Sequence, residues 1–305
     1  MQDILNIENV SMQYGANKIL HTINFKLHKG EFAGFLGING AGKTSLISAI
    51  AGLRNYSGTI KVAGYSLHND PVMVKRHIGV VPQELSFDPF LTVLDTLKFQ
   101  ARIYGVGKNS NDWIDELLTR LHLKDKANDN TRNLSGGMKR RLMVAQALVH
   151  KPSLIILDEP TAGVDVEIRK LLWEFITEIN NNGATILLTT HYLEEVEQLC
   201  SRVIMLHKGN VLYNDTKQAL AQISNDLPNK FYCTLNTDNL PEKINHLAKK
   251  LTDAGSYEFD NVSQAQIMDI LQEIYAAQIK VLDMGISKPG LEEVFLKYLG
   301  RDESK

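Results

Sequence analysis

The chain has 305 residues, 44% hydrophobic and 22% charged, with a net charge of −2; that composition describes a folded globular protein with room for two domains. A near-neutral chain without a basic excess predicts no nucleic-acid partner. The two cysteines, Cys200 and Cys233, stand far apart and outside any Cys-x-x-Cys spacing, which excludes a disulfide framework or a zinc knuckle and suits a reducing compartment.

The first residues, Met1-Gln2-Asp3-Ile4-Leu5-Asn6, offer neither the basic nor the apolar stretch of a secretory signal. No apolar run approaches a membrane span. The expectation is a cytoplasmic protein that meets a membrane only through another chain. Alternating Ile19, Ile23, Phe25 and Leu27 predict an early antiparallel hairpin. Residues 31–36 read as a buried strand and residues 44–51 as a helix. Between them lies Gly37-Ile38-Asn39-Gly40-Ala41-Gly42-Lys43-Thr44.

Residues 78–81 predict a short strand ending just before Gln83. From 90 to 123 the pattern becomes helical, with Leu91, Leu94, Leu97 and Ala101, then Trp113, Leu117, Leu118 and Leu121. Apolar, partly β-branched runs at 153–157, 185–189 and 202–206 alternate with helical segments, the texture of buried parallel strands covered by helices. After about Thr216 the texture shifts, and the polar residues 224–229 read as a linker. Beyond it, 231–234 and 280–283 predict strands, and 244–251, 266–276 and 291–299 predict helices. The organisation is an α/β domain over 1–220, with a helical insertion at about 90–150, and a small C-terminal α+β accessory domain over 221–305.

The strand–loop–helix setting turns the glycine-rich segment into a socket for a triphosphate. Its glycines let successive backbone N–H groups curl around phosphate oxygens, Lys43 reaches the outer phosphates, and the Thr44 hydroxyl is placed to ligate Mg²⁺. The predicted nucleotide set is Gly37, Ile38, Asn39, Gly40, Ala41, Gly42, Lys43, Thr44 and Ser45. A second carboxylate-bearing strand is needed, and Leu154-Ile155-Ile156-Leu157-Asp158 supplies it, with Asp158 at the C-terminal end as a metal ligand. Glu159 follows as the base that polarises water. In Leu134-Ser135-Gly136-Gly137, Ser135 is a good N-cap, and Gly136 and Gly137 open backbone N–H groups at a helix start, an anion site.

These elements in this order, with Gln83 and His191 at matching places, resemble the nucleotide-binding subunit of ATP-binding cassette (ABC) transporters over residues 4–213. The wording of 134–141, 159–165 and 190–195 resembles the exporter branch that moves drugs, polysaccharides or lipids, where separate membrane subunits pair with the ATPase. Residues 290–296 resemble a recurring tail of that branch. The resemblance implies a P-loop NTPase cassette with a mixed-sheet core, an antiparallel β subdomain and a helical subdomain. It implies ATP and Mg²⁺ as ligands, an integral-membrane permease as a separate chain, and a second copy of the ATPase facing the first head to tail. The protein would then sit peripherally on the inner face of the cell membrane.

Residue by residue, the resemblance implies that Tyr14 stacks on adenine and that Gln83 touches Mg²⁺ and the attacking water while sensing the membrane partner. It further implies that residues 162–165 line the dimer seam and that His191 contacts the γ-phosphate. Ser135, Gly136 and Gly137 would grip the nucleotide of the other copy. One departure is Met138, where many members carry Gln. Two readings stand for Phe87 and Phe90: anchors for the membrane partner, or burial in the helical insertion. Two further functional readings remain beside export: a soluble ABC ATPase acting on ribosomes or DNA, and a C-terminal regulatory module that gates turnover.

Overall fold

Alternating apolar residues bury one face of two long strands, β1 (Asp3–Tyr14) and β2 (Asn17–His28). In the computed structural model they pair antiparallel, with Tyr14 opposite Asn17 at the tip. The structure describes residues 2–190, 192–225, 230–252, 255–260, 262–287 and 290–302. Ile23, Phe25 and Leu27 keep the expected alternation, but the strand buries Leu20 and leaves Ile19 only partly covered. The cause is a local irregularity: Thr22 takes a left-handed φ of 54°, which shifts the inward phase by one residue.

The fully buried strand β3 (Phe32–Leu36) leads into α1 (Lys43–Ile50). Next come β4 (Ser57–Val62), β5 (Tyr65–Ser66), α2 (Pro71–His77) and β6 (Ile78–Val81). The first sheet runs β2-β1-β4-β5 and is antiparallel throughout. The helical segment then supplies α3 (Val93–Ile103), α4 (Asn111–Arg120) and α5 (Gly136–Leu148). Trp113, expected on the apolar stripe of α4, instead donates its indole N–H to the carbonyl of Leu148 at 3.0 Å, tying α4 to α5.

Strand β7 (Leu154–Asp158), α6 (Val166–Asn181), β8 (Thr185–Thr189), α7 (Leu193–Leu199), β9 (Arg202–His207) and β10 (Asn210–Thr216) complete the first unit. The central sheet has the order β10-β9-β3-β8-β7-β6. It is parallel except for β10. All five residues of β3, of β7 and of β8 are buried, as strands covered on both faces require. The side chain of Asp165 caps α6 by accepting from the N–H of Ile168 at 2.9 Å. Asp165→Ala should therefore lower stability by about 1 kcal/mol, read as a drop in the denaturation midpoint with an unchanged slope.

The chain divides into two compact units, the first ending at Lys217 and the second beginning at Gln218. Helix α8 (Lys217–Asn225) occupies the stretch after β10. Ser224 and Asn225, read from sequence as the start of a linker, are its last residues; the rest of that predicted linker, 226–229, lies outside the described residues.

The second unit contains β11 (Lys230–Leu235), α9 (Glu242–Asn245), β12 (Ala248–Thr252), β13 (Ser256–Phe259), α10 (Gln264–Ala276), β14 (Val281–Ser287) and α11 (Leu291–Asp302). Its sheet runs β12-β13-β11-β14, antiparallel throughout, a β-α-β-β-α-β arrangement. The helix predicted over 244–251 is wrong. Helix α9 stops at Asn245, and 248–252 pairs with β13 through Lys249 opposite Glu258 and Lys250 opposite Tyr257. Only Ile244 of the supposed apolar stripe is buried, while Leu247 and Leu251 are exposed. Strand pairing overrode a helical spacing that buried Ile244 alone. Helix α10 starts earlier than the apolar pattern indicated, because Ser263 and Gln266 form a reciprocal capping box.

Candidate nucleotide and metal site

The loop between β3 and α1 is held from behind by close packing. A side chain at Gly37 would come within 2.6 Å of the Leu206 carbonyl on β9, so the loop can lie against the sheet only with glycine there. Gly42, with φ of 108°, is the N-cap of α1 and brings no capping side chain. The first turn of α1 has no acidic residue either. Its backbone N–H groups are thus left for an anion, with the helix dipole behind them.

Lys43 is buried, and its Nζ donates to the carbonyls of Gly37 at 2.6 Å and Ile38 at 3.3 Å. Burial pushes its ammonium below the ordinary value, and Glu159 and Asp158 pull it back. Asp158 closes β7, one strand removed from β3 across β8. One of its oxygens accepts from the Thr189 hydroxyl of β8, and the other lies 3.5 Å from the Thr44 hydroxyl. Burial raises the Asp158 carboxyl; the Thr189 hydrogen bond lowers it, the neighbouring Glu159 raises it further, and Lys43 opposes. A buried carboxylate next to another carboxylate favours a nearby cation.

Glu159 has a left-handed φ of 50°, uncommon for a residue with a side chain. Its N–H is fixed to the carbonyl of Thr189 at 2.9 Å, so the turn is determined by the edge of β8. Gln83 donates from Nε2 to Glu159 Oε2 at 3.2 Å. An open cavity of about 420 Å³ is lined by Ile19, Asn39, Gly40, Gly42, Lys43, Thr44, Ser45, Gln83, Asp158 and Glu159.

The predicted residues thus fall into groups. The loop, Gln83, Asp158 and Glu159 converge on one cavity, with Gly37, Ile38 and Ala41 in the same loop but not among its lining residues. Tyr14 is at the hairpin tip, with the Arg54 guanidinium 5.5 Å from its ring centroid, and is not part of the lining. Ser135 caps α5 by accepting from the N–H of Met138 at 3.2 Å. It too lies outside the cavity, and both Gly136 and Gly137 face open space. His191 lies outside the described residues. Phe90 is 85% exposed and Phe87 half-buried, so burial in the helical insertion does not account for Phe90.

Several contributors escaped the sequence reading. Arg140, about one helical turn beyond the Ser-Gly-Gly motif and almost fully buried, donates to the carbonyls of Pro82 at 2.8 Å and Gln83 at 3.1 Å. It fixes the backbone that carries Gln83 to the helix that begins at Gly136. Arg141 donates to the carbonyls of Leu121 and His122, at the end of α4. Adjacent arginines in a helix opening with Ser-Gly-Gly were the available signal. Ile19, displaced by the Thr22 irregularity, forms an apolar wall of the cavity. Thr189 had no signal beyond its place at the end of a buried strand.

Mg²⁺ fits the donor set. Thr44 and Asp158 present two hard oxygens 3.5 Å apart; neighbouring oxygens on an octahedral Mg²⁺, at about 2.1 Å each, lie about 3 Å from one another. Among the described residues no group of three or more His, Cys, Asp or Glu side chains could hold a metal. A site of one carboxylate and one hydroxyl is the kind that Mg²⁺ completes with water and substrate phosphates.

Comparison with known proteins places these features in context. The family described as "ABC transporter" matches residues 20–162. The linearmycin resistance ATP-binding protein LnrL of Bacillus subtilis (strain 168) is 35% identical, over 98% of this chain and 99% of its own length. The Nod factor export ATP-binding protein I of Cupriavidus pinatubonensis is 33% identical, over 98% of this chain and 91% of its own. A solved ATP binding subunit of an ABC transporter is 30% identical and superposes with a TM-score of 0.69, covering 73% of this chain and 93% of that one.

Proposed function

The chain belongs to the ABC transporter family as an ATP-binding, ATP-hydrolysing subunit, and from that membership we propose that it drives an exporter as one of two copies that clasp nucleotide between them. One observation carries this reading. The cavity gathers most of the phosphate loop, Gln83, Asp158 and Glu159, while Ser135, Gly136 and Gly137 lie outside its lining with open space beside both glycines, which supports their being left for a second chain. The linearmycin-resistance and Nod-factor-export relatives, matched over nearly their whole length, support the export direction.

In this reading each step falls to a side chain of the cavity or of the resemblance. ATP enters with its β- and γ-phosphates against the first turn of α1, and Lys43 exchanges the Gly37 and Ile38 carbonyls for phosphate oxygens. Thr44 and Asp158 would hold Mg²⁺, which when bound neutralises phosphate charge. Glu159, steadied by Gln83, accepts a proton from water as its oxygen attacks the γ-phosphorus, and ADP departs. By the family resemblance Tyr14 would stack on the adenine, and His191, which lies outside the described residues, would contact the γ-phosphate. Because Arg140 fastens the Gln83 backbone to α5, movement of Gln83 on nucleotide binding is conveyed to that helix.

No helix among the described residues is long and apolar enough to cross a membrane. The exporter's spans then come from separate permease chains, with this subunit held peripherally on the inner face. Exposed Phe90, close in sequence to Gln83, is the anchor we assign to that docking.

Mixing two inactive variants tests the clasp. Lys43→Ala and Ser135→Arg should each be inactive alone, since each homodimer has two broken sites. Combined, they should regain part of the ATPase activity, because a mixed pair contains one site with both Lys43 and Ser135 native. A mixture as inactive as its components rules out the shared site.

A further inference from the structure

Glu195 is a fully buried carboxylate that the steps above do not use. It sits on α7, shortly after His191 in the chain. One oxygen, Oε1, accepts from two donors: the buried Thr161 hydroxyl and the Trp173 indole N–H, the latter at 3.3 Å. The other, Oε2, is buried with no hydrogen-bond partner among the described residues. Burying a carboxylate that is half satisfied opposes folding, and an apolar side chain would fill the same space at less cost. Packing does not account for Glu195.

Its partner Thr161 stands just beyond Glu159, with only Pro160, which has no N–H, between them. On the entry side, Glu159 is held in its left-handed φ of 50° by the hydrogen bond from its N–H to the Thr189 carbonyl at 2.9 Å. Such a backbone persists only where its surroundings determine it. On the exit side the chain folds back tightly. The Ala162 N–H donates to the Glu159 carbonyl and the Val164 N–H to the Thr161 carbonyl, each at 3.2 Å. Those bonds lie within the turn and fasten it to no other element. The Thr161 hydroxyl fastens it to α7 through Glu195, and Trp173 ties the same oxygen to α6.

We propose that Glu195 is a positioning residue for hydrolysis: by anchoring Thr161 it fixes the turn that aims the Glu159 carboxylate at the attacking water. That role rests on Glu159 being the general base, as proposed above. Glu195 acts through the backbone of 159–161 and leaves the phosphate loop alone. A base displaced by about 1 Å loses about 10²-fold in rate, so a loosened turn is enough to slow the chemical step while ATP still binds.

Single-turnover ATP cleavage and equilibrium ATP binding by the full chain test this. Thr161→Val, close to isosteric, and Glu195→Leu should each slow cleavage about tenfold or more, with ATP affinity within about twofold of native. Thr161→Ser and Glu195→Gln keep the hydroxyl donor and the acceptor oxygen, and should cleave within about threefold of the native rate. Added to Glu159→Gln, Glu195→Leu should slow the residual cleavage by less than about twofold more, since no base remains to be aimed. An equal loss on both backgrounds would overturn the proposal, as would unimpaired cleavage in Thr161→Val. Conservative variants as slow as the disruptive ones would overturn it too. So would slowing confined to variants with a lowered denaturation midpoint, the mark of a purely structural role. Native cleavage in Glu159→Gln alone would remove the base itself, a result read without any change at Glu195.

Discussion

Replacing Glu159 with glutamine is expected to stop hydrolysis while leaving ATP bound. The substitution keeps the shape of the side chain and an acceptor oxygen for Gln83 Nε2, which lies 3.2 Å from the native carboxylate. The backbone turn, with φ of 50°, is held by the hydrogen bond from the Glu159 N–H to Thr189 and does not depend on side-chain charge. What disappears is the proton acceptor. Loss of a positioned general base lowers the chemical step by about 10²–10⁴-fold. Affinity should hold or rise, because one negative charge is removed from beside the incoming phosphates. Single-turnover phosphate release should therefore collapse while equilibrium ATP binding stays within a few-fold of native. Light scattering with ATP should report an accumulated dimer. Turnover near the native rate would remove Glu159 from the role of base.

The second large effect is expected at Lys43. Its ammonium is buried, so it acts where charge is weakly screened. In the structure it donates to two carbonyls of its own loop, Gly37 and Ile38, and holds a positive charge over the first turn of α1. Lys43→Ala takes away both the counter-charge for the outer phosphates and a donor that follows the charge developing in the transition state. Removing one such donor costs about 10²–10³ in turnover, and loss of ground-state phosphate binding adds to that. Isothermal titration should show ATP affinity reduced along with hydrolysis, unlike Glu159→Gln, where the two separate. Normal ATP affinity in this variant would show that the ammonium does not face the phosphates.

Much of the first unit was legible because its signals are local. An apolar strand running into Gly-x-x-x-x-Gly-Lys-Thr, and another ending in Asp158-Glu159, name their own chemistry by order and spacing. Strands β3 and β8 fall on or close to their predicted bounds, since five buried residues in a row leave little room for another reading, and the shorter β6 matches its bounds as well. The second unit was harder. Over 244–251, Ile244, Leu247 and Leu251 imitate a helical stripe, yet from Ala248 onward the segment pairs with β13. The partner that decides the matter lies elsewhere in the chain.

The sequence by itself determined the phosphate loop, the strand that ends at the paired carboxylates and the cap at Ser135, because each is a short local run, whereas Gln83 was singled out only by the family resemblance. Only the tertiary structure decided that Gln83 reaches Glu159 across 76 positions, that Thr189 braces Asp158, and that Arg140 grips the Gln83 backbone. Those are relations between distant segments, set by strand order and by how a buried polar group finds a partner, and no local pattern of residues encodes them.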